Sequence, residues 1–229
     1  AGGHFCPVAR LLGAKSGGRE PVVAAKEVEF AMDEQQEKTC GAQPETPELF
    51  FCRDLKGYGW CFRKGRYLNI GMGREENHRL GDHLSAFCVF LKQRGKIPAD
   101  IPDKFHGHAY LLNGHGVRRK IDDGVLLIGD AAGLAYPQSG EGIRPAIESA
   151  LLAAVTIVQA GQDYRRENLA SYPQQLIARL GTGKRADSVL PQGVHHYLGS
   201  KLLGNSWFAR HVVLDRWFLH SQQGALRIA

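Results

Sequence analysis

The stretch VLLIGDAAGLAYPQSGEGIRPAIESA, residues 125–150, decides how the rest of the chain is read. It opens on four apolar residues, Val125 to Ile128, the pattern of a parallel strand buried on both faces. Gly129 and Asp130 follow, then the small residues Ala131, Ala132 and Gly133, then Pro137, then Gly140-Glu141-Gly142-Ile143 opening a helix that runs to about Ala160. Open α/β sheets hold their ligands beyond the carboxyl ends of the strands, so Asp130 stands where a carboxylate accepts a hydrogen bond from a sugar-like hydroxyl. The small residues let backbone approach a ligand closely. Gly140 and Gly142 let the chain turn so that free N–H groups at the helix start face outward, where the macrodipole favours an anion.

Working outward, the segment before this stretch changes character. Val22 to Met32 alternates apolar and polar residues like a half-buried strand. Asp33 to Glu48 is a polar loop or a short helix that Pro44 and Pro47 would end. Leu49–Leu55, Tyr58–Phe62 and Arg66–Gly73 are strands at hairpin spacing, with Lys64-Gly65 as the second turn, which predicts an antiparallel sheet. A helix over Asp82–Arg94, capped by Asp82 and ended by Gly95, precedes a last strand, Phe105–Leu112. After Gln162 the chain reads as mainly helical, interrupted near Pro173, Gly181, Pro191 and Gly204.

Bulk properties exclude several classes. Hydrophobic content of 43% and charged content of 23% are those of a folded globular chain rather than a disordered one. No window reads as a membrane span, since apolar runs such as Ala150–Ala160 are short. A net charge of +6 favours anionic partners. The cations fall in short groups (Arg118-Arg119-Lys120, Arg165-Arg166, Lys184-Arg185) without interleaved aromatics, so they read as solvated surface and no nucleic-acid partner is expected. Cys6, Cys40, Cys52, Cys61 and Cys88 are an odd number without CxxC spacing, which points to reduced thiols in a cytoplasmic protein with neither disulfides nor zinc. His106, His108 and Tyr110 share a strand face, and His195-His196 is a loop or helix-end pair; no metal is expected at either.

Residues 129–143 resemble the second flavin motif of the FAD-dependent geranylgeranyl reductases and the aromatic hydroxylases related to them. The resemblance implies that Asp130, in Gly129-Asp130-Ala131-Ala132, binds the ribityl chain of FAD. It also implies that Pro137 through Ile143 lies along the isoalloxazine, with N–H groups of Gly142 and Ile143 supporting the reduced ring. A second segment, Gly57-Tyr58-Gly59-Trp60-Cys61-Phe62-Arg63-Lys64-Gly65, is similar to the reductases' Y-x-W-x-F-P-K, with Arg63 where they have proline. Asn69-Ile70-Gly71-Met72-Gly73 follows as their N-x-G-x-G. Tyr58, Trp60 and Phe62 share one strand face, which either lines a substrate pocket for a long hydrocarbon or is core packing. A third, weaker match sets Ala1 to Arg10 against the hydroxylases' G-A-D-G-x-x-S-x-x-R, with Gly2 at the Asp position and Arg10 retained.

The expected architecture is α/β with an α+β insertion: part of an FAD-binding Rossmann-like domain (1–20 and 119–161), an antiparallel substrate-binding domain (21–118) and a C-terminal helical region (162–229). No G-x-G-x-x-G opens the chain, so the unit that holds the adenosine half of FAD is missing and an amino-terminally truncated protein is expected, binding FAD poorly alone. The resemblance implies an oxidoreductase that reduces carbon–carbon double bonds of an isoprenoid or other apolar substrate, with NAD(P)H or ferredoxin as electron donor. A flavin monooxygenase or halogenase on the same scaffold, and a non-catalytic lipid- or anion-binding protein, are the alternatives. Trp207 to Leu219 reads as an amphipathic helix that either docks on the protein's own core or makes peripheral membrane contact.

Overall fold

Asp33 shows how local chemistry sets the elements. Its carboxylate accepts from Gln36 N–H while the Gln36 side chain accepts from Asp33 N–H, a capping box that starts a one-and-a-half-turn helix. The computed structural model describes residues 2–14, 22–75, 78–116, 118–183, 199 and 201–227. His195-His196, Lys184-Arg185 and Pro191 lie outside these residues. Two compact units result, Val23–Ala109 and Ala1–Val22 with Tyr110–Ala229.

Strands β1 (Val22–Ala31), β2 (Glu48–Phe51), β3 (Gly57–Lys64), β4 (Tyr67–Arg74) and β5 (His106–Leu111) form one sheet in the order β2-β3-β4-β1-β5. The ladders β2–β3, β3–β4 and β4–β1 are antiparallel. The preceding helix, α1, spans Pro7–Leu11, and the capped helix, α2, spans Glu34–Thr39. Strand alternation sends Cys61, Leu68, Ile70, Met72 and Val28 into a core with Leu84, Phe87 and Leu91 of helix α3, Leu80–Gln93. Helix α3 begins two residues before the Asp82 expected to cap it. Arg79 occupies the cap in a left-handed conformation (φ 58°), and Asp82 in the first turn holds Arg79 Nε at 2.7 Å, a carboxylate placed favourably toward the helix dipole.

In the other unit, the run expected as a buried parallel strand is corrected. Val125–Leu126 (β7) pairs antiparallel with Ile121–Asp122 (β6), and β6 is its only strand partner among the described residues. The cause is the Asp123-Gly124 pair, a two-residue turn in which Gly124 takes φ 65° and folds the chain straight back. Leu127 continues into the core, and a one-turn helix, α4 (Gly129–Ala132), follows. Helices α5 (Ile143–Ala160) and α6 (Ser171–Leu180) pack beside it around Leu127, Leu134, Ala153, Leu169, Tyr172 and Leu176. Tyr172 O–H donates to Leu127 C=O at 2.7 Å, pinning α6 to the end of the β7 run.

Pro173 falls in the first turn of α6, where a missing N–H has no helical partner to lose, so the interruption expected there is absent. Helix α5 is long and apolar enough to cross a membrane by length and composition, contrary to the sequence expectation that no window is. Glu148, buried midway along it, binds Arg144 Nε at 3.0 Å and Arg179 Nε at 2.8 Å. The C-terminal segment begins with α7 (Ser206–Phe208) and continues as π-helical turns, Ala209–Phe218, whose wider hydrogen bonding breaks the expected amphipathic period. Val213 is its buried residue. Arg144 secures the chain beyond it by donating to the carbonyls of His220 (3.2 Å) and Gln223 (3.1 Å).

Candidate functional site

The turn after β7 is built by glycine where no other residue fits. Gly129 has φ 53°, and a methyl on it would lie 3.1 Å from Ala146 Cβ, so α4 and α5 approach through it. Its N–H donates to Ser149 Oγ at 3.0 Å, and that hydroxyl donates to Ala146 C=O. The two halves of the motif then meet. A methyl on Gly142 would stand 3.3 Å from Asp130 Oδ1, so the carboxylate faces the cap of α5 across a gap that a side chain would narrow. Gly140 (φ 70°) has the Tyr110 hydroxyl 2.7 Å from its missing Cβ, and its N–H closes a turn onto Tyr136 C=O around buried Pro137.

Ala131 and Ala132 place their methyls in the core rather than outward, which leaves backbone as what they can offer a ligand. Ile143 is 75% exposed. The helix start, expected to present free N–H groups, is partly occupied by its own neighbour: Glu141 Oε1 accepts from Arg144 N–H at 2.9 Å. The other oxygen, Glu141 Oε2, is buried with no hydrogen-bond partner among the described residues. Burial accordingly raises the Glu141 carboxyl above its ordinary value, against the opposing pull of the helix-start N–H groups. Sequence reasoning missed this residue, although a Glu directly before the capping glycine is within reach of those N–H groups.

Arg118 was also missed. It was read as part of a solvated basic group, yet its side chain is buried and donates to the carbonyls of Ala131 (3.0 Å) and Asp130 (3.3 Å). Its other nitrogen meets His4 Nδ1 at 2.9 Å, tying the glycine-rich opening to the Asp130 turn. Cys6 and Ala9, next to His4, are buried in the same core, whereas Arg10 is exposed. Burial likewise depresses Lys120, followed by the effect of nearby Arg118.

In the unit of residues 23–109, Tyr58, Trp60 and Phe62 form a row with ring centroids 6.0 and 6.5 Å apart. The glycines of β4 make room for it. Trp60 pairs with Gly71, whose added methyl would fall within the indole ring, and Trp60 Nε1–H donates to Asn69 Oδ1 at 2.7 Å. Asn69 in turn donates to Glu29 at 3.2 Å, so the row is half-buried and bordered by polar groups. Arg63, at the end of the row, donates from Nε to Gly65 C=O at 3.0 Å. Cys61, on the opposite face, is fully buried and its thiol is pushed up to about 12 by burial and then by Glu48, which keeps it from acting as a thiolate. All five cysteines are free. Among the described residues no group of three or more His, Cys, Asp or Glu gathers to hold a metal ion.

These elements, an antiparallel sheet in one unit and a glycine-built strand–turn–helix in the other, match part of the fold of a solved reductase-like protein. The structure superposes on a geranylgeranyl bacteriochlorophyll reductase-like protein of Thermoplasma acidophilum with a TM-score of 0.60 and 20% identity, over 85% of this chain and 47% of that one. The sequence relatives narrow the class. The chain is 29% identical over 133 residues to the digeranylgeranylglycerophospholipid reductase of Methanocaldococcus jannaschii, covering 56% of this chain and 34% of the relative. It is 31% identical over 144 residues to digeranylgeranylglycerophospholipid reductase 2 of Methanothermobacter thermautotrophicus, covering 60% and 36%. No family model matches the chain. The resemblance read from the sequence is therefore upheld: the chain is a relative of the geranylgeranyl reductases, and it spans about a third of the length of the curated relatives it matches.

Proposed function

We propose that this chain provides the flavin-ring end of an FAD site and the substrate sheet of an oxidoreductase that reduces carbon–carbon double bonds of an isoprenoid. The observation that carries this reading is the meeting of Asp130 with Gly142, where an absent Cβ leaves a cradle beside a carboxylate. The residues present fit the ribityl and ring end of FAD: Asp130 to take a ribityl hydroxyl, backbone of Gly129, Ala131 and Ala132 for close approach, and Pro137, Gly140, Gly142 and Ile143 along the ring. They do not supply the adenosine end, for which the sequence has no G-x-G-x-x-G. In this reading the Rossmann-like flavin domain expected at residues 1–20 and 119–161 lies in the unit of residues 1–22 and 110–229, and the substrate domain expected at residues 21–118 is the unit of residues 23–109.

Bound FAD, reduced by NAD(P)H or a ferredoxin, supplies the hydride for the double bond. The chain's own part is to bind and orient: Asp130 and the α5 start fix the cofactor, and Tyr58, Trp60 and Phe62 offer the apolar substrate a flat aromatic surface. A cytoplasmic enzyme with peripheral membrane contact suits a lipid-like substrate. The test is an absorption spectrum of the intact gene product, followed by anaerobic reduction and addition of a geranylgeranyl lipid. A flavin spectrum, and reoxidation coupled to saturation of the prenyl chain, are expected. A protein that purifies without flavin and cannot be reconstituted overturns the reading, and oxygen-dependent hydroxylation in place of saturation replaces it with a monooxygenase.

A further inference from the structure

The start of α5 is already occupied from within the chain. Pro145, in the first turn, has no N–H to offer, and Arg144 N–H donates to Glu141 Oε1 at 2.9 Å. Ile143 N–H bears on the same carboxylate. The Ile143 N–H that the proposed flavin site uses therefore faces an anion of the chain's own. Backbone contacts hold that anion in place: Glu141 N–H donates to Ser139 Oγ at 3.2 Å, and Tyr136 N–H donates to Glu141 C=O at 2.9 Å.

No cation is dedicated to this carboxylate. Arg144 and, from α6, Arg179 both pair with Glu148, while Glu141 forms no ion pair among the described residues. Its Oε2 is buried without a hydrogen-bond partner among them. The titratable groups on the neighbouring elements are Tyr136, with His220 stacked on it, and Asp130 of α4, beyond Gly142. Burial raises the Glu141 carboxyl against the pull of the Arg144 and Ile143 N–H groups and the Arg144 charge, and Glu148 adds to the rise. A further negative charge at the same helix start raises it again, through space and without touching Oε2.

We infer that Glu141 couples proton uptake to flavin reduction: the negative charge that arrives on the ring at the start of α5 draws a proton onto this carboxylate. The inference rests on the flavin reading and gives a role to a residue which that site leaves unused. Two electrons from the nicotinamide or ferredoxin donor, with one proton, leave the ring with one negative charge. A second proton passes from solvent to Glu141, which is half-buried rather than sealed and becomes neutral. The neutral acid still accepts from Arg144 N–H. The helix start then carries one negative charge in place of two, which its dipole favours.

The test is spectroelectrochemical titration of the intact, flavin-bound gene product from about pH 5 to 8, in the parent and in Glu141→Gln. The parent's midpoint potential is expected to fall more steeply with pH, by about 30 mV per unit, which is one extra proton for two electrons. The variant, which carries no charge at this position, is expected to favour reduced over oxidised flavin by about tenfold or more at the alkaline end, and to converge with the parent at the acid end. A variant that had merely lost structure would not converge. The reduced-minus-oxidised infrared spectrum of the parent needs no substitution: a protonated-carboxyl band that shifts with carboxyl-labelled glutamate is expected. A flavin-bound parent without that band, or equal potentials in parent and variant at every pH, overturns the inference alone. A protein that binds no flavin overturns the flavin reading and the inference with it.

Discussion

Gly142 and Gly129 sit on either side of Asp130 and differ in what a methyl would do. At Gly142 the backbone has φ −121°, which any residue adopts, and the new methyl would press only on the Asp130 carboxylate. Gly142→Ala should therefore leave stability within about 1 kcal/mol while lowering flavin content in the intact protein. At Gly129 the same change forces an alanine into φ 53° against Ala146 and should cost about 1–2 kcal/mol in denaturant titration. Glu141 offers a prediction with a definite sign. Its folded pKa is raised above 4.5, so its stabilising contribution is complete below 4.5 and is lost as pH rises through the folded value. Glu141→Gln keeps an acceptor for Arg144 N–H without the buried charge. Urea midpoints from about pH 4 to 8 should thus fall less in the variant than in the parent. The approach of Gly142 to Asp130 was legible because the two are close in the chain. Arg118 was not, since its role depends on carbonyls 12 and 13 residues ahead and on His4, 114 residues behind.

Helices α5 and α6 and the C-terminal segment are joined through one carboxylate. Burial pushes Glu148 upward, but hydrogen bonds from Arg179 and Arg144 outweigh it and hold the group ionised below its ordinary range. Arg179 and Arg144 also carry the carbonyls of Gly224 (2.8 Å) and Gln223 (3.1 Å). Glu148→Gln strands two guanidiniums near each other and should cost about 3 kcal/mol by chemical denaturation. Amide exchange should show the C-terminal segment loosening with it, because its anchors lose their own alignment. At this scale the sequence was readable wherever one period ran unbroken, as in β3, β4 and α5. It misled where a short signal overrode a longer one: Asp123-Gly124 turned an apolar run into a hairpin strand, and the π-helical turns after Phe208 replaced a regular amphipathic helix.

The two compact units differ in how the chain composes them. Residues 23–109 are continuous and enclose their own core of Val28, Met32, Leu68, Ile70, Leu84, Phe87 and Leu91. Expressed alone, this segment should unfold in one cooperative transition followed by circular dichroism. Its Asp54 is held down to about 2 by the hydrogen bond from Arg74, so the stability from that pair is present above 3.8 and is lost as pH falls toward 2. An isolated segment that lacks a cooperative transition would show that its core does not suffice.

The other unit is closed by the contact of His4 with Arg118, which has a consequence for biosynthesis. As the ribosome delivers the chain, the opening residues must wait for more than a hundred others before their partner exists. The continuous sheet emerges whole in that interval and is free to fold first, shortening the loop whose ends must then be joined. The Asp130 turn, which Arg118 secures, thus takes its final shape only after the continuous sheet has emerged.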